Sequence, residues 1–184
     1  SASGNKGVTR EYPHTPGIDA VGEVIESNSS DFKTGEKIIV TGYDLGMNTY
    51  GGFGQYISIP ANWAIPLPKE LTEAEAMSIG TAGLTAGLCV RKLLMNDLTP
   101  DSGDVLVTGA SGGVGSVAVM VLSKLGFKVV ALTGKKDQAD YLESLGASSV
   151  IMRSEMEEQG KPLQKGIYFL NTSLSWLLNM QFDI

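Results

Sequence analysis

The run Val105-Leu106-Val107-Thr108-Gly109-Ala110-Ser111-Gly112-Gly113-Val114-Gly115 sets the architecture of the chain. Its first part is continuously apolar, the pattern of a strand buried on both faces of a parallel sheet. Four glycines then fall within the seven residues from Gly109 to Gly115. They lead straight into Val114 to Leu125, whose apolar spacing is helical and which Gly126 ends in the C-cap position. A strand, a glycine turn and a helix in that order open a βαβ unit. Further along, Lys128 to Leu132 reads as a second strand, Gln138 to Leu145 as a second helix capped by Gly146, and Ser149 to Met152 as a third strand. Alternation at this length predicts an α/β fold with a right-handed parallel sheet.

Upstream the pattern changes. Ala20 to Ile25, Lys37 to Thr41 and Gln55 to Ile59 are short extended segments separated by glycine turns, and Pro60, Pro66 and Pro68 punctuate the stretch after them. Such spacing predicts a small β-barrel or sandwich. Thr72-Glu73-Ala74-Glu75 is a capping-box pattern that starts a helix through Ala76, Met77 and Ile79. Gly80 and Gly83 interrupt it, and a second helix is expected from Thr85 to about Leu94. The polar connection Asn96 to Gly103 divides a β-rich lobe, residues 1–98, from the parallel sheet at 99–165, leaving an atypical tail at 166–184.

The 184 residues are 42% hydrophobic and 18% charged, a globular balance without the long uncharged run of a membrane span. A net charge of −6 disfavours a nucleic-acid partner. A single cysteine, Cys89, and a single histidine, His14, make neither an internal disulfide nor a four-ligand zinc site, so no metal is expected. That cysteine usage fits a reducing cytoplasm. Ser1 to Arg10 has no apolar core that would direct secretion.

The glycine run has a chemical reading. Gly109 permits a sharp turn, Gly112 and Gly113 let the backbone approach a pyrophosphate, and Gly115 lets the helix close on the strand. The helix N-terminus then presents N–H groups and a positive dipole end to the phosphates. No Gly-Lys-Ser/Thr closes the loop, which excludes a P-loop. The bland alternative is a turn that serves packing alone. At the end of the second strand, Ala131-Leu132-Thr133-Gly134-Lys135-Lys136 lacks the carboxylate that would hold the ribose hydroxyl of NAD. Thr133 and Lys135 are placed instead for the 2′-phosphate of NADP, against the alternative of a solvated lysine pair.

Five segments carry a family resemblance: Pro16 to Val24, Gly51 to Tyr56, Gly80 to Ala86, Val107 to Gly115 and Tyr141 to Ala147. The chain resembles the medium-chain dehydrogenase/reductase superfamily, specifically its zinc-independent quinone oxidoreductase-like branch with the acrylyl-CoA reductases. The resemblance implies a GroES-like lobe followed by a partial Rossmann sheet. It implies that Ser111, Gly112, Gly113 and Val114 contact the pyrophosphate, and that Thr133, Gly134 and Lys135 surround the 2′-phosphate, with Arg153 approaching it. Thr81 would lie near the nicotinamide, the alternative being a helix-turn hydroxyl. Ile18 stands where the zinc enzymes carry histidine, and His14 reads as a turn residue before Pro16.

The implied activity is NADPH-dependent reduction of an activated carbon–carbon double bond in a small-molecule substrate: a quinone, an enone or an acrylyl-CoA-type thioester. Hydride would reach the β-carbon and a proton the α-carbon. No residue that polarises the carbonyl is identified, and Cys89, inside an apolar helix, reads as core rather than nucleophile. Family members begin with further strands and an Asn-Tyr-Lys-Asp segment, and residues 166–184 do not resemble the family. A truncated product is therefore expected, with a catalytically inert dinucleotide-binding remnant as the alternative function. The apolar tail, readable also as an amphipathic helix with Leu174, Leu177, Leu178 and Phe182 on one face, and an unpaired sheet edge predict self-association.

Overall fold

Two sheets of opposite character organise the chain, antiparallel in its first part and parallel in its second. The computed structural model describes residues 9, 11–159 and 167–171. It divides into two units, Ser1–Thr81 and Ala82–Ile184.

In the first unit, β1 (Asp19–Glu23), β2 (Lys37–Thr41) and β3 (Ala64–Pro66) form an antiparallel sheet in that order. The register pairs Asp19 with Thr41 and Glu23 with Lys37, and Val40 with Ala64. Ile39, Val40, Val24 and Leu45 supply its buried apolar positions. The strand expected at Gln55 to Ile59 is absent: these residues join no ladder among the described residues. The glycines before them take a different partner. Gly51, Gly52 and Phe53 donate their amides to the carbonyls of Thr15, Gly17 and Pro16. Residues 55–59 then line an open groove of about 930 Å³ against β1 and β2, where period-two alternation meets no neighbouring backbone to pair with.

Helix α1 (Glu73–Met95) starts on the expected capping box and is broken at Gly80. Thr72 donates both its amide and its hydroxyl to the Glu75 carboxylate, and the Glu75 amide returns to the Thr72 hydroxyl. The boundary between units therefore falls at Thr81, earlier than the connection after residue 98. The reason is packing: Ala86 and Val90 of α1 are buried in the same core as Val105, Leu122 and Val129.

In the second unit, β4 (Asp104–Thr108), α2 (Gly113–Lys124), β5 (Val129–Thr133), α3 (Ala139–Ser144) and β6 (Ser149–Met152) follow the expected alternation. A short helix α4 (Arg153–Gln159) follows β6 directly. Side chains alternate across the sheet. Val105, Val107, Val129 and Ala131 join the core containing Ala118, Val119 and Leu122, while Leu106, Val130 and Leu132 face the other way with Ile151. Burying a side chain such as Leu122 completely contributes about 1.5–3 kcal/mol. All five residues of β5 are buried, as a central parallel strand requires.

The sheet holds one strand more than the sequence pattern predicts. Residues Ile167–Asn171, inside the stretch expected to be atypical, form β7, parallel to β4 with Leu170 buried. The order is β6-β5-β4-β7. An Ile-Tyr-Phe-Leu run is strongly β-favouring, and it pairs with the side of β4 away from β5. The helical face suggested for Leu174, Leu177, Leu178 and Phe182 lies outside the described residues.

Candidate cofactor site

Sheet order reverses between β4 and β7, and the glycine turn leaves β4 at that reversal. In open parallel sheets this is where ligands bind, beyond the carboxyl ends of the strands. The turn is built from backbone. Gly109 adopts φ 59°, and the Gly112 amide closes back on the Gly109 carbonyl at 2.9 Å. Gly115 is the most constrained position. A Cβ there would lie 2.3 Å from the Gly109 carbonyl oxygen and 2.7 Å from the Ala110 Cα. Helix α2 thus presses on the turn itself, and only glycine fits. The N-cap, Gly112, offers no side-chain cap, and both Gly112 and Gly113 are exposed. The first amides of α2 have no side-chain acceptor of their own, which suits them to an anion.

The neighbouring strand ends supply the cations. In the register, Thr108 lies beside Leu132 and Thr133 beside Met152. Lys135 leaves β5 two residues after Thr133, and Arg153 follows Met152 directly; both are exposed. Among the described residues no carboxylate lies within ion-pair distance of Lys135. Asp137 sits in the short helical turn Lys136–Gln138, beyond the strand end. Gly134 is open, with nothing within 4 Å of a Cβ built on it.

Thr133 occupies a different place from the one expected. Only 1% of it is accessible, and its hydroxyl lies 2.9 Å from the Ser111 hydroxyl while accepting the Lys135 amide at 3.1 Å. Ser111, Gly112, Gly113, Val114, Gly134, Lys135 and Arg153 all follow the carboxyl ends of β4, β5 and β6, and Thr133, the last residue of β5, is the buried one among the expected site residues.

Residues 2–69 match the alcohol dehydrogenase GroES-like domain. The acrylyl-CoA reductase AcuI of Ruegeria pomeroyi is 47% identical over 163 residues, covering 88% of this chain and 49% of that protein. The fold agrees with the solved structure of Escherichia coli K-12 YhdH with bound NADPH at a TM-score of 0.84 and 42% identity, over 90% of this chain and 51% of that one. Over the matched residues the chain is similar to proteins named quinone oxidoreductase and acrylyl-CoA reductase. YhfP of Bacillus subtilis, provisionally named a quinone oxidoreductase, is 51% identical over 155 residues, 84% of this chain and 46% of that protein. Its structure with NAD bound superimposes with a TM-score of 0.81 at 49% identity, over 88% of this chain and 49% of that one. The chain spans about half the length of the relatives it matches.

The GroES-like unit of this dehydrogenase-related chain holds a polar clasp that the sequence did not announce. Asp19 Oδ1 accepts the Thr81 amide at 3.0 Å and the Thr81 hydroxyl at 2.8 Å, beside the break at Gly80. The Thr81 hydroxyl is therefore turned to Asp19. Ile18, next in the chain, is 42% exposed. His14 Nε2 lies 2.9 Å from the Gly46 carbonyl oxygen, a contact within the loop region. Cys89 packs at the edge of the second unit's core, and burial pushes its thiol up from the usual range, away from the thiolate a nucleophile needs. Among the described residues no cluster of three His, Cys, Asp or Glu could hold a metal ion, and no helix is long and apolar enough to cross a membrane.

Proposed function

We propose that this chain forms the dinucleotide site of an NADPH-dependent oxidoreductase that reduces an activated carbon–carbon double bond in a quinone, an enone or an acrylyl-CoA-type thioester. One observation carries the reading: a glycine turn at the sheet's reversal point, opening on an uncapped helix N-terminus, with Lys135 and no carboxylate at the adjacent strand end. The relatives named for acrylyl-CoA reduction and solved with NADPH support it. The relative solved with NAD leaves cofactor choice to this chain's own residues.

The dinucleotide fits what the turn offers. A side chain at Gly115 would disrupt the cradle, and the exposed backbone of Gly112 and Gly113 gives phosphates close access. The amides of Gly113 and Val114 and the Ser111 hydroxyl hold the pyrophosphate, while the Gly112 amide stays on the Gly109 carbonyl and shapes the turn. Lys135 and Arg153 supply charge for a 2′-phosphate beside Gly134. When bound, NADPH supplies the hydride. The protein contributes orientation: its backbone fixes the phosphates, and the β5 and β6 ends fix the adenosine side.

Absorbance of NADPH at its reduced-form band, with a small quinone or acrylyl-CoA added, tests the reading. A rate well above background supports the reductase. Saturable NADPH binding without turnover assigns the chain to the inert, dinucleotide-binding alternative, and absence of binding removes both.

A further inference from the structure

Thr133 is the last residue of β5, yet its hydroxyl meets the two loops that the proposed site depends on. A threonine oxygen has one proton and two lone pairs. One lone pair takes the Lys135 amide at 3.1 Å. The remaining capacity faces Ser111 Oγ at 2.9 Å, twenty-two residues earlier in the chain. At 1% accessibility Thr133 has almost no surface to show a ligand, whereas Ser111 is half-buried and Lys135 exposed.

We infer that Thr133 is a positioning residue, acting on the pyrophosphate through Ser111 and not by touching the 2′-phosphate. The inference rests on the dinucleotide reading above. The hydrogen-bond count gives it direction. If the Ser111 proton is donated to a phosphate oxygen, the Ser111–Thr133 contact can be filled only by the Thr133 proton. The chain then runs from the Lys135 N–H to Thr133 Oγ1, from the Thr133 O–H to Ser111 Oγ, and from the Ser111 O–H to the anion. Each bond polarises the next, which strengthens the terminal donor. The Lys135 amide is held by the same atom, so the backbone of the two loops shares one anchor, whereas the Lys135 ammonium, at the end of its own exposed side chain, is not fixed by that contact. Valine would keep the branched shape at 133 and lose the hydroxyl.

Fluorescence titration of NADPH and NADH into the parent chain, Thr133→Val, Thr133→Ser, Ser111→Ala and the Ser111→Ala/Thr133→Val pair tests this. Thr133→Val should weaken both cofactors by a similar factor of about 5- to 10-fold, leaving their ratio unchanged. Thr133→Ser should restore both affinities. The double variant should bind no more weakly than Ser111→Ala alone, because one effect passes through the other. Loss confined to NADPH, losses that multiply in the double variant, or affinities untouched by Thr133→Val would each overturn the inference. Amide exchange of the cofactor-free chain separates this failure from failure of the dinucleotide reading. Thr133→Val should speed exchange at Lys135 and also across residues 109–113. A change at Lys135 alone would overturn the link between loops even if neither cofactor binds.

Discussion

Asp19 Oδ1 holds Thr81 by two hydrogen bonds, to the amide at 3.0 Å and to the hydroxyl at 2.8 Å, across sixty-two residues of sequence. The contact sits where α1 breaks, at Gly80 with φ 45° and ψ −155°, a conformation that side-chain-bearing residues rarely adopt. The carboxylate satisfies the amide that the break releases from the helical ladder, so strand β1 and the helix break stabilise each other within the first unit.

Removing either half should therefore cost stability. Asp19→Ala should destabilise by about 1.5–3 kcal/mol, the range for a hydrogen bond to a charged group, while Asp19→Asn, which keeps the acceptor, should cost less. Gly80→Ala should cost roughly 1–3 kcal/mol from backbone strain, with its Cβ placed 3.0 Å from Asp19 Oδ2. Urea unfolding midpoints check all three. Equal stability for Asp19→Ala and the parent would show that the clasp contributes nothing.

The two glycines flanking the proposed phosphate sites should respond oppositely. Gly115→Ala drives a methyl into the turn and should cost roughly 1–3 kcal/mol of stability as overpacking, together with cofactor binding. Gly134→Ala meets open space and should leave the unfolding midpoint unchanged. Thermal unfolding of both variants, alongside NADPH titration, distinguishes a turn built on close approach from one that is merely glycine-rich.

Two glutamates at the start of α1 should titrate below their usual value of 4.5, for different reasons. The Thr72 amide first, then its hydroxyl, lowers Glu75; a hydrogen bond from Lys37, then Glu73's own backbone and the Lys37 charge, lower Glu73. Because the folded values lie below the unfolded ones, the stabilisation is present above the ordinary carboxylate range and disappears as pH falls through the lowered values. NMR titration of the carboxyl carbons should show Thr72→Ala raising Glu75 alone and Lys37→Met raising Glu73 alone. Added salt should move Glu73 more than Glu75, because an exposed ion pair is screened.

The parallel sheet was legible because its signals are local and agree with one another. Val105 to Thr108 read as a buried strand, and Gly109 to Gly115 as a tight turn into a helix, and both form as read. Gln55 to Ile59 misled because alternation reports a pleated preference and says nothing of whether a partner strand is present. Ile167 to Asn171 misled in the other direction: read as foreign to the family, it still had the β-favouring side chains that the edge of β4 accepts. Thr133 was placed correctly at a strand end, but its burial and its contact with Ser111 join positions distant in the sequence, which no local pattern reports. Asp19 carried no pattern of its own, and its role emerges only once the break at Gly80 brings Thr81 beside β1.

Charge at the β5 end should set the cofactor choice, with Lys135 as its main source. A charge-assisted contact is worth about 1.5–3 kcal/mol, on the order of 10- to 100-fold in affinity. Lys136, in the helical turn after it, should matter little.

Parallel fluorescence titrations of NADPH and NADH into the parent chain, Lys135→Ala and Lys136→Ala bear on the dinucleotide site without any intermediate assumption. Both cofactors should bind saturably, NADPH tighter by about 10- to 100-fold, with most of that preference erased by Lys135→Ala and retained by Lys136→Ala. Equal affinities in the parent chain, or no saturable binding of either dinucleotide, would contradict the site proposed for this chain.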